Sequence, residues 1–194
     1  MISENFIWLA LAITVIGNLF YVIDTLKGET QPNRISFFLW GATPLIAYFA
    51  QKTGGGGAQS AFTLVIGAMA LLIFIASFID KKAYWAITKF DIGCGILALI
   101  ALVLLIATGN ALLALWLSIL GDFFASLPTV IKSFKFPESE TVLAYATEIV
   151  SSLIILLTIQ EWTFINYCFA IYVLLMNVMF TILLITPRKK LITK

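Results

Sequence analysis

The chain has no histidine among its 194 residues. That absence removes His-based metal sites and every nucleophile activated by a neighbouring imidazole. Charge is scarce as well. Only 11% of the residues are charged, where a soluble domain carries about 25%. The deficit runs along the whole length, so the solvent implied is lipid. Cysteine is limited to Cys94 and Cys168. Each lies inside an apolar run, where cysteine acts as a small hydrophobe. The net charge of +2 comes from loop lysines and is no nucleic-acid footprint, so no nucleic-acid partner is expected. A basic opening segment is also missing. Residues 1–4 hold only an acid, and no small-residue cleavage site follows the apolar run 6–22. The first run is therefore expected to be a span rather than a signal peptide.

What fills the chain is apolar, at 61% of residues. A helical span takes about 20 apolar residues, so seven spans use about 140 and leave only short connections. An enzyme domain beside the membrane is excluded on length. Spans are expected at 5–26, 35–51, 59–79, 90–108, 110–131, 141–159 and 162–186. Pro44 in the short second run predicts a kink. Gly109 and Asn110 predict a tight turn, and residues 54–57 a flexible outer loop. Of the 12 Lys and Arg residues, all but Lys52 fall in one alternate set of connections. Basic loops face the cytoplasm, which puts the N-terminus outside and the C-terminus inside. The location expected is an integral membrane, such as a bacterial inner (plasma) membrane. Trp8, Trp85 and Trp162 fall near span ends, as interfacial aromatics do.

The sequence also repeats itself. Thr14, Gly17, Asn18 and Phe20 match Ser118, Gly121, Asp122 and Phe124 at one constant offset, and Thr25 then matches Thr129. After a one-residue insertion Lys27 faces Lys132, Pro32 faces Pro137, Ser36 faces Thr141, Trp40 faces Tyr145 and Thr43 faces Glu148. Three spans per copy plus one connecting span give both copies the same orientation. The fold class expected is therefore an all-α integral membrane protein of seven transmembrane helices, built as two parallel three-helix repeats joined by a linker helix. The segments are 1–80, 81–109, 110–187 and a cytoplasmic tail, 188–194.

Residues at i, i+4, i+7 and i+11 share one helix face. Thr14, Asn18, Tyr21 and Thr25 do so in span one, and Ser118, Asp122, Ser126 and Thr129 in span five. Ser36, Trp40 and Thr43 form a stripe in span two, and Thr141, Tyr145, Glu148 and Ser152 in span six. Asn166 and Asn177 share a face in span seven, whereas span three offers only Thr63 and small residues. Polar faces turn away from lipid. For Ser and Thr, packing between helices is the plain alternative to a binding role. Asp122 and Glu148 stand apart, because each lies near the middle of its span with no Lys or Arg at that depth. A charge at that depth costs roughly 2.5–3.5 kcal/mol on insertion scales. A carboxyl group that is neutral when dry and ionised when wet suits proton coupling or the binding of a cationic group. Asp24 and Asp91 sit near lysines at span ends and are expected to be solvated.

The layout resembles the SWEET and PQ-loop superfamily of transporters. Ser126-Leu127-Pro128-Thr129-Val130-Ile131-Lys132 looks like that family's Pro-Gln motif and basic loop, with Thr129 in place of Gln. The first copy, residues 22–27, keeps Lys27 and lacks the proline. The resemblance implies a secondary transporter that moves a small polar metabolite by alternating access, with proton coupling left open. It implies a pocket made by Asn18, Tyr21, Trp40, Thr43, Ser126, Tyr145 and Asn177, coupling through Asp122 and Glu148, and hinges at Pro44 and Pro128. The partners expected are a small-molecule substrate and the lipid bilayer, with homo-oligomers open. No cofactor and no metal are expected. The alternative is a receptor or assembly protein on the same fold, against which the short loops weigh. A membrane-embedded enzyme using the two acids lacks any accompanying nucleophile–base pair or metal ligands.

Overall fold

The structure is a computed structural model that describes residues 1–83, 85–108 and 110–186. The described residues form seven α-helices and two single-turn 3-10 segments. The helices are α1 (Phe6–Leu26), α2 (Arg34–Thr53), α3 (Ser60–Ala76), α4 (Lys89–Thr108), α5 (Ala111–Lys135), α6 (Val142–Thr158) and α7 (Phe164–Ile185). Gly109, half of the expected tight turn, and the basic tail with Arg188, Lys189, Lys190 and Lys194 lie outside the described residues.

Local chemistry explains the helix starts. Asn33 Oδ1 accepts the backbone N–H groups of Ile35 and Ser36 at 3.1 and 3.2 Å and so opens α2. Asn110 does the same for α5 with Leu112 and Leu113, at 3.0 and 3.2 Å. Such side chains satisfy the orphan donors of a first turn. Thr88 and Asp91 open α4 with reciprocal side-chain to backbone bonds of 2.8 and 3.2 Å, a capping box. Asp91 is therefore buried in a cap rather than solvated among lysines. α1 ends at Leu26, and just past its cap Gly28 takes a φ of +69°, which requires a residue without Cβ strain. Pro44 and Pro128 sit inside continuous helices, where each removes one N–H and frees the carbonyl four residues earlier.

The helix ends sort into two layers. The start of α6 meets the end of α1 through Thr141 and Asp24, at 2.6 Å, and residue 2 pairs with Leu157 at the other end of α6. Arg34 at the start of α2 bonds Ser77 at the end of α3, and Gln51 near the end of α2 bonds Ile165 at the start of α7. One end thus gathers Lys27, Arg34, Lys132 and Lys135 with the 137–141 connection, and the other holds Lys52. We refer to them as the basic end and the opposite end.

The main neighbours form a closed ring, α1–α6–α7–α5–α2–α3 and back to α1. Exchanging α1 with α5, α2 with α6 and α3 with α7 maps this ring onto itself. Among the described residues α4 packs mainly on α5 and α2, outside the ring. Close approach is made possible by missing side chains. A Cβ on Gly17 would stand 1.7 Å from Thr147 Oγ1, and one on Gly41 would stand 2.3 Å from Leu71 Cδ2.

The bundle is apolar outside and polar inside. Ile16, Leu19, Phe20 and Ile23 of α1, and Leu175, Ile182 and Ile185 of α7, face outward. Thr14, Thr43, Ser118, Ser126, Ser151 and Ser152 are buried. A soluble domain has the opposite preference, and lipid on the outside accounts for the inversion. α1, α5 and α7 are long and apolar enough to cross a membrane, with mean hydropathies of 2.2, 1.7 and 2.5, and α3 and α6 are shorter apolar helices. The chain is a helical membrane protein. Most expected boundaries shift by one to three residues, and the largest shift is at the end of α5. α5 runs on to Lys135 rather than stopping at 131, because Lys132 is buried against a carboxylate and its helical turn is not a solvated loop.

Candidate functional site

Six helices, all but α4, surround one cavity that holds about 670 Å³ of space, its mouth included. The polar stripe of α1 supplies Asn18 and Tyr21, α2 supplies Trp40 and Pro44, and α6 supplies Tyr145 and Glu148. α5 contributes Asp122, and α7 contributes Tyr172 and Asn177. Eight of the eleven residues singled out from sequence therefore share one space: Asn18, Tyr21, Trp40, Pro44, Asp122, Tyr145, Glu148 and Asn177. Thr43 does not line it but reaches it through Asp122. Ser126 and Pro128 are not part of the lining. Ser126 spends its hydroxyl on the carbonyl of Phe123, 2.7 Å away in its own helix.

The two acids are held by neutral donors. Asp122 is 8% exposed and Glu148 6%. Tyr172 donates to Asp122 Oδ2 at 2.7 Å, and Thr43 lies 2.8 Å from Oδ1. Asn18 donates to Glu148 Oε1 at 2.7 Å, and Thr14 lies 3.4 Å from Oε2. Thr43 is also 2.8 Å from the carbonyl of Leu39, yet a hydroxyl has a single proton. With that proton on the carboxylate, the geometry fits an ionised Asp122. With it on Leu39, the geometry fits a neutral Asp122 that donates to Thr43. The same side-chain positions accommodate both charge states.

Toward the basic end the cavity is lined by a collar of five aromatic rings from four helices. The rings run Tyr21, Phe37, Trp40, Phe180, Tyr145 and back to Tyr21, with successive centroids 5.0, 5.1, 5.7, 4.8 and 6.5 Å apart. Toward the opposite end an apolar plug that includes Leu11, Phe62, Leu115 and Phe169 fills the bundle.

Behind the collar lies a polar cluster that the stripes did not reveal. The hydroxyls of Tyr21 and Tyr145 both donate to Glu140 Oε2 at 2.7 Å. Glu140 Oε1 pairs with Lys132 Nζ at 2.6 Å, and both side chains are almost wholly buried. Lys132 also donates to the backbone carbonyls of Gln31 and Ser139 and lies over the Trp85 ring. The sequence signal was faint. Glu140 precedes the α6 stripe by one residue, and Lys132 reads as a loop lysine. Tyr172 was missed too, because a tyrosine in an apolar helix reads as one more large side chain. Asn166 belongs elsewhere, at the opposite end, bonded to the carbonyl of Glu161 at 2.8 Å.

Among the described residues no group of three or more Cys, Asp or Glu gathers as metal ligands would. In comparisons with protein families, curated proteins and solved structures, nothing matches the chain.

Proposed function

We propose that the chain is a secondary transporter with seven spans, carrying a small polar or charged metabolite by alternating access. The observation that carries this reading is the cavity itself. It lies in the middle of an apolar-skinned bundle, holds two carboxyl groups with neutral partners, and is bordered by an aromatic collar toward one end and an apolar cluster toward the other. The exchange symmetry of the helix neighbours supports two parallel repeats, 1–80 and 110–187, joined by 81–109, with α4 as the linker. Transporters built from repeats bind their substrate at the repeat interface near the midplane. The gathering of basic residues at one end supports a cytoplasmic basic end, with the N-terminus outside and the C-terminus inside. In this reading Asp122 and Glu148 carry the coupling proton or a cationic group, and Pro44 and Pro128 are the positions where α2 and α5 flex.

The test is flux. Compounds that raise the unfolding temperature of the purified protein are found first, since a ligand bound only by the native state stabilises it. Each is then offered to proteoliposomes with and without an imposed proton gradient. Wild type should accumulate the compound when the gradient is present. Asp122→Asn should keep downhill exchange and lose gradient-driven accumulation. Compounds that bind tightly but never enter the vesicles would instead mark a receptor.

A further inference from the structure

The cavity's chemistry narrows what it takes. Both carboxyl groups line it, and all four groups that bond them are neutral: Thr43, Tyr172, Asn18 and Thr14. No Lys or Arg is among the lining residues. The buried ammonium nearest the collar, Lys132, is spent on Glu140. Each acid oxygen has one hydrogen-bond partner, although it has lone pairs for two. With the acids ionised, positive charge for this space would therefore enter with what it binds.

The walls say what kind of cation. They are dominated by aromatic and aliphatic surface, with the five-ring collar on one side and Phe169 and Tyr172 on the other. An inorganic ion or a sugar is held best by polar partners on all sides, whereas the polar groups here are outweighed by apolar wall. A primary ammonium must satisfy three N–H donors. A quaternary ammonium has none to satisfy, keeps its charge at every pH, and is attracted by ring faces by about 0.5–2 kcal/mol each.

We propose that the cavity binds a quaternary organic ammonium cation, with Asp122 and Glu148 supplying the counter-charge and Trp40 with its neighbouring rings supplying the cage. The inference rests on the reading of this cavity as the substrate site. In exchange with protons, such a cation and a proton would compete for the same two carboxyl groups, and no bond is made or broken.

The experiment is a calorimetric titration of the purified full-length protein in detergent. The probes are choline and its uncharged carbon isostere 3,3-dimethylbutan-1-ol. Choline should bind at least tenfold more tightly than the alcohol. Asp122→Asn and Glu148→Gln should each lower choline affinity at least tenfold without lowering the unfolding temperature, because a neutral amide is easier to bury than a carboxylate. Should either variant fail to fold, Trp40→Leu supplies the second reading: it should weaken choline several-fold and leave the alcohol unchanged. Equal binding of the two probes, no choline binding, or choline affinity unchanged in these variants overturns the proposal. Titration needs neither vesicles nor a gradient. A failure here, with a neutral metabolite still carried in proteoliposomes, removes the cation and leaves the transporter. Choline that binds and is never carried removes the transporter and leaves the cation site.

Discussion

Replacing Glu140 with Gln removes the one carboxylate that, among the described residues, balances Lys132. The two side chains are 1% and 0% exposed, for Lys132 and Glu140 respectively, and meet at 2.6 Å. In the variant, Lys132 keeps the carbonyls of Gln31 and Ser139 and the face of the Trp85 ring. Removing one partner of a buried pair costs about 3–5 kcal/mol, because the other charge stays buried without a counter-charge. Tyr21 and Tyr145 also exchange a charged acceptor for an amide that has a single acceptor oxygen. The ion-pair loss dominates, so the expected destabilisation is about 3–5 kcal/mol. Lys132→Met should cost a similar amount, by stranding Glu140. The double variant Lys132→Met, Glu140→Gln leaves no charge stranded and should cost about 2–3 kcal/mol less than the sum of the singles, the coupling expected of groups in direct contact. Reversible unfolding in mixed micelles, followed by tryptophan fluorescence, measures all three. A loss below about 1 kcal/mol for Glu140→Gln, the scale of an exposed pair, would refute the buried-pair argument. So would a double variant whose cost equals the sum.

Two further outcomes follow from packing and layout. Gly17→Ala puts a Cβ on Thr147 Oγ1 and within 2.7 Å of Thr147 Cβ. It should destabilise the α1–α6 contact by about 1–3 kcal/mol, and Thr147→Gly in the same chain should restore much of the loss; thermal unfolding of the three proteins decides it. A cysteine introduced at Gly55, where nothing lies within 4 Å, should react with an impermeant thiol reagent on intact cells, since the two native thiols are buried. Labelling only after permeabilisation would reverse the proposed orientation.

The helices were legible in the sequence because a membrane span leaves an unambiguous mark. A run of apolar residues bounded by Asn, Gly, Pro and Lys has few other readings. The inward faces were legible for the same reason. When the outside is lipid, any polar residue in a span points inward, and Asn18, Asp122, Tyr145 and Glu148 stand out against their neighbours. The exceptions were residues whose type misleads. Lys132 and Asp91 read as solvated because they are charged and close to helix ends, yet one is neutralised by Glu140 and the other is tied into a cap with Thr88.

Periodicity acts along one chain, so it sufficed for which residues form helices and which face of each is polar. It says nothing about which faces meet. The aromatic collar draws its five rings from α1, α2, α6 and α7. Glu140 gathers Lys132 from α5 with two tyrosines from α1 and α6. Ser126 and Asp122 share a stripe, yet only Asp122 reaches the cavity, because the Ser126 hydroxyl satisfies itself on its own helix. Those outcomes depend on how the helices pack. Only packing brings side chains distant in sequence within the few ångströms over which hydrogen bonds and ring contacts act.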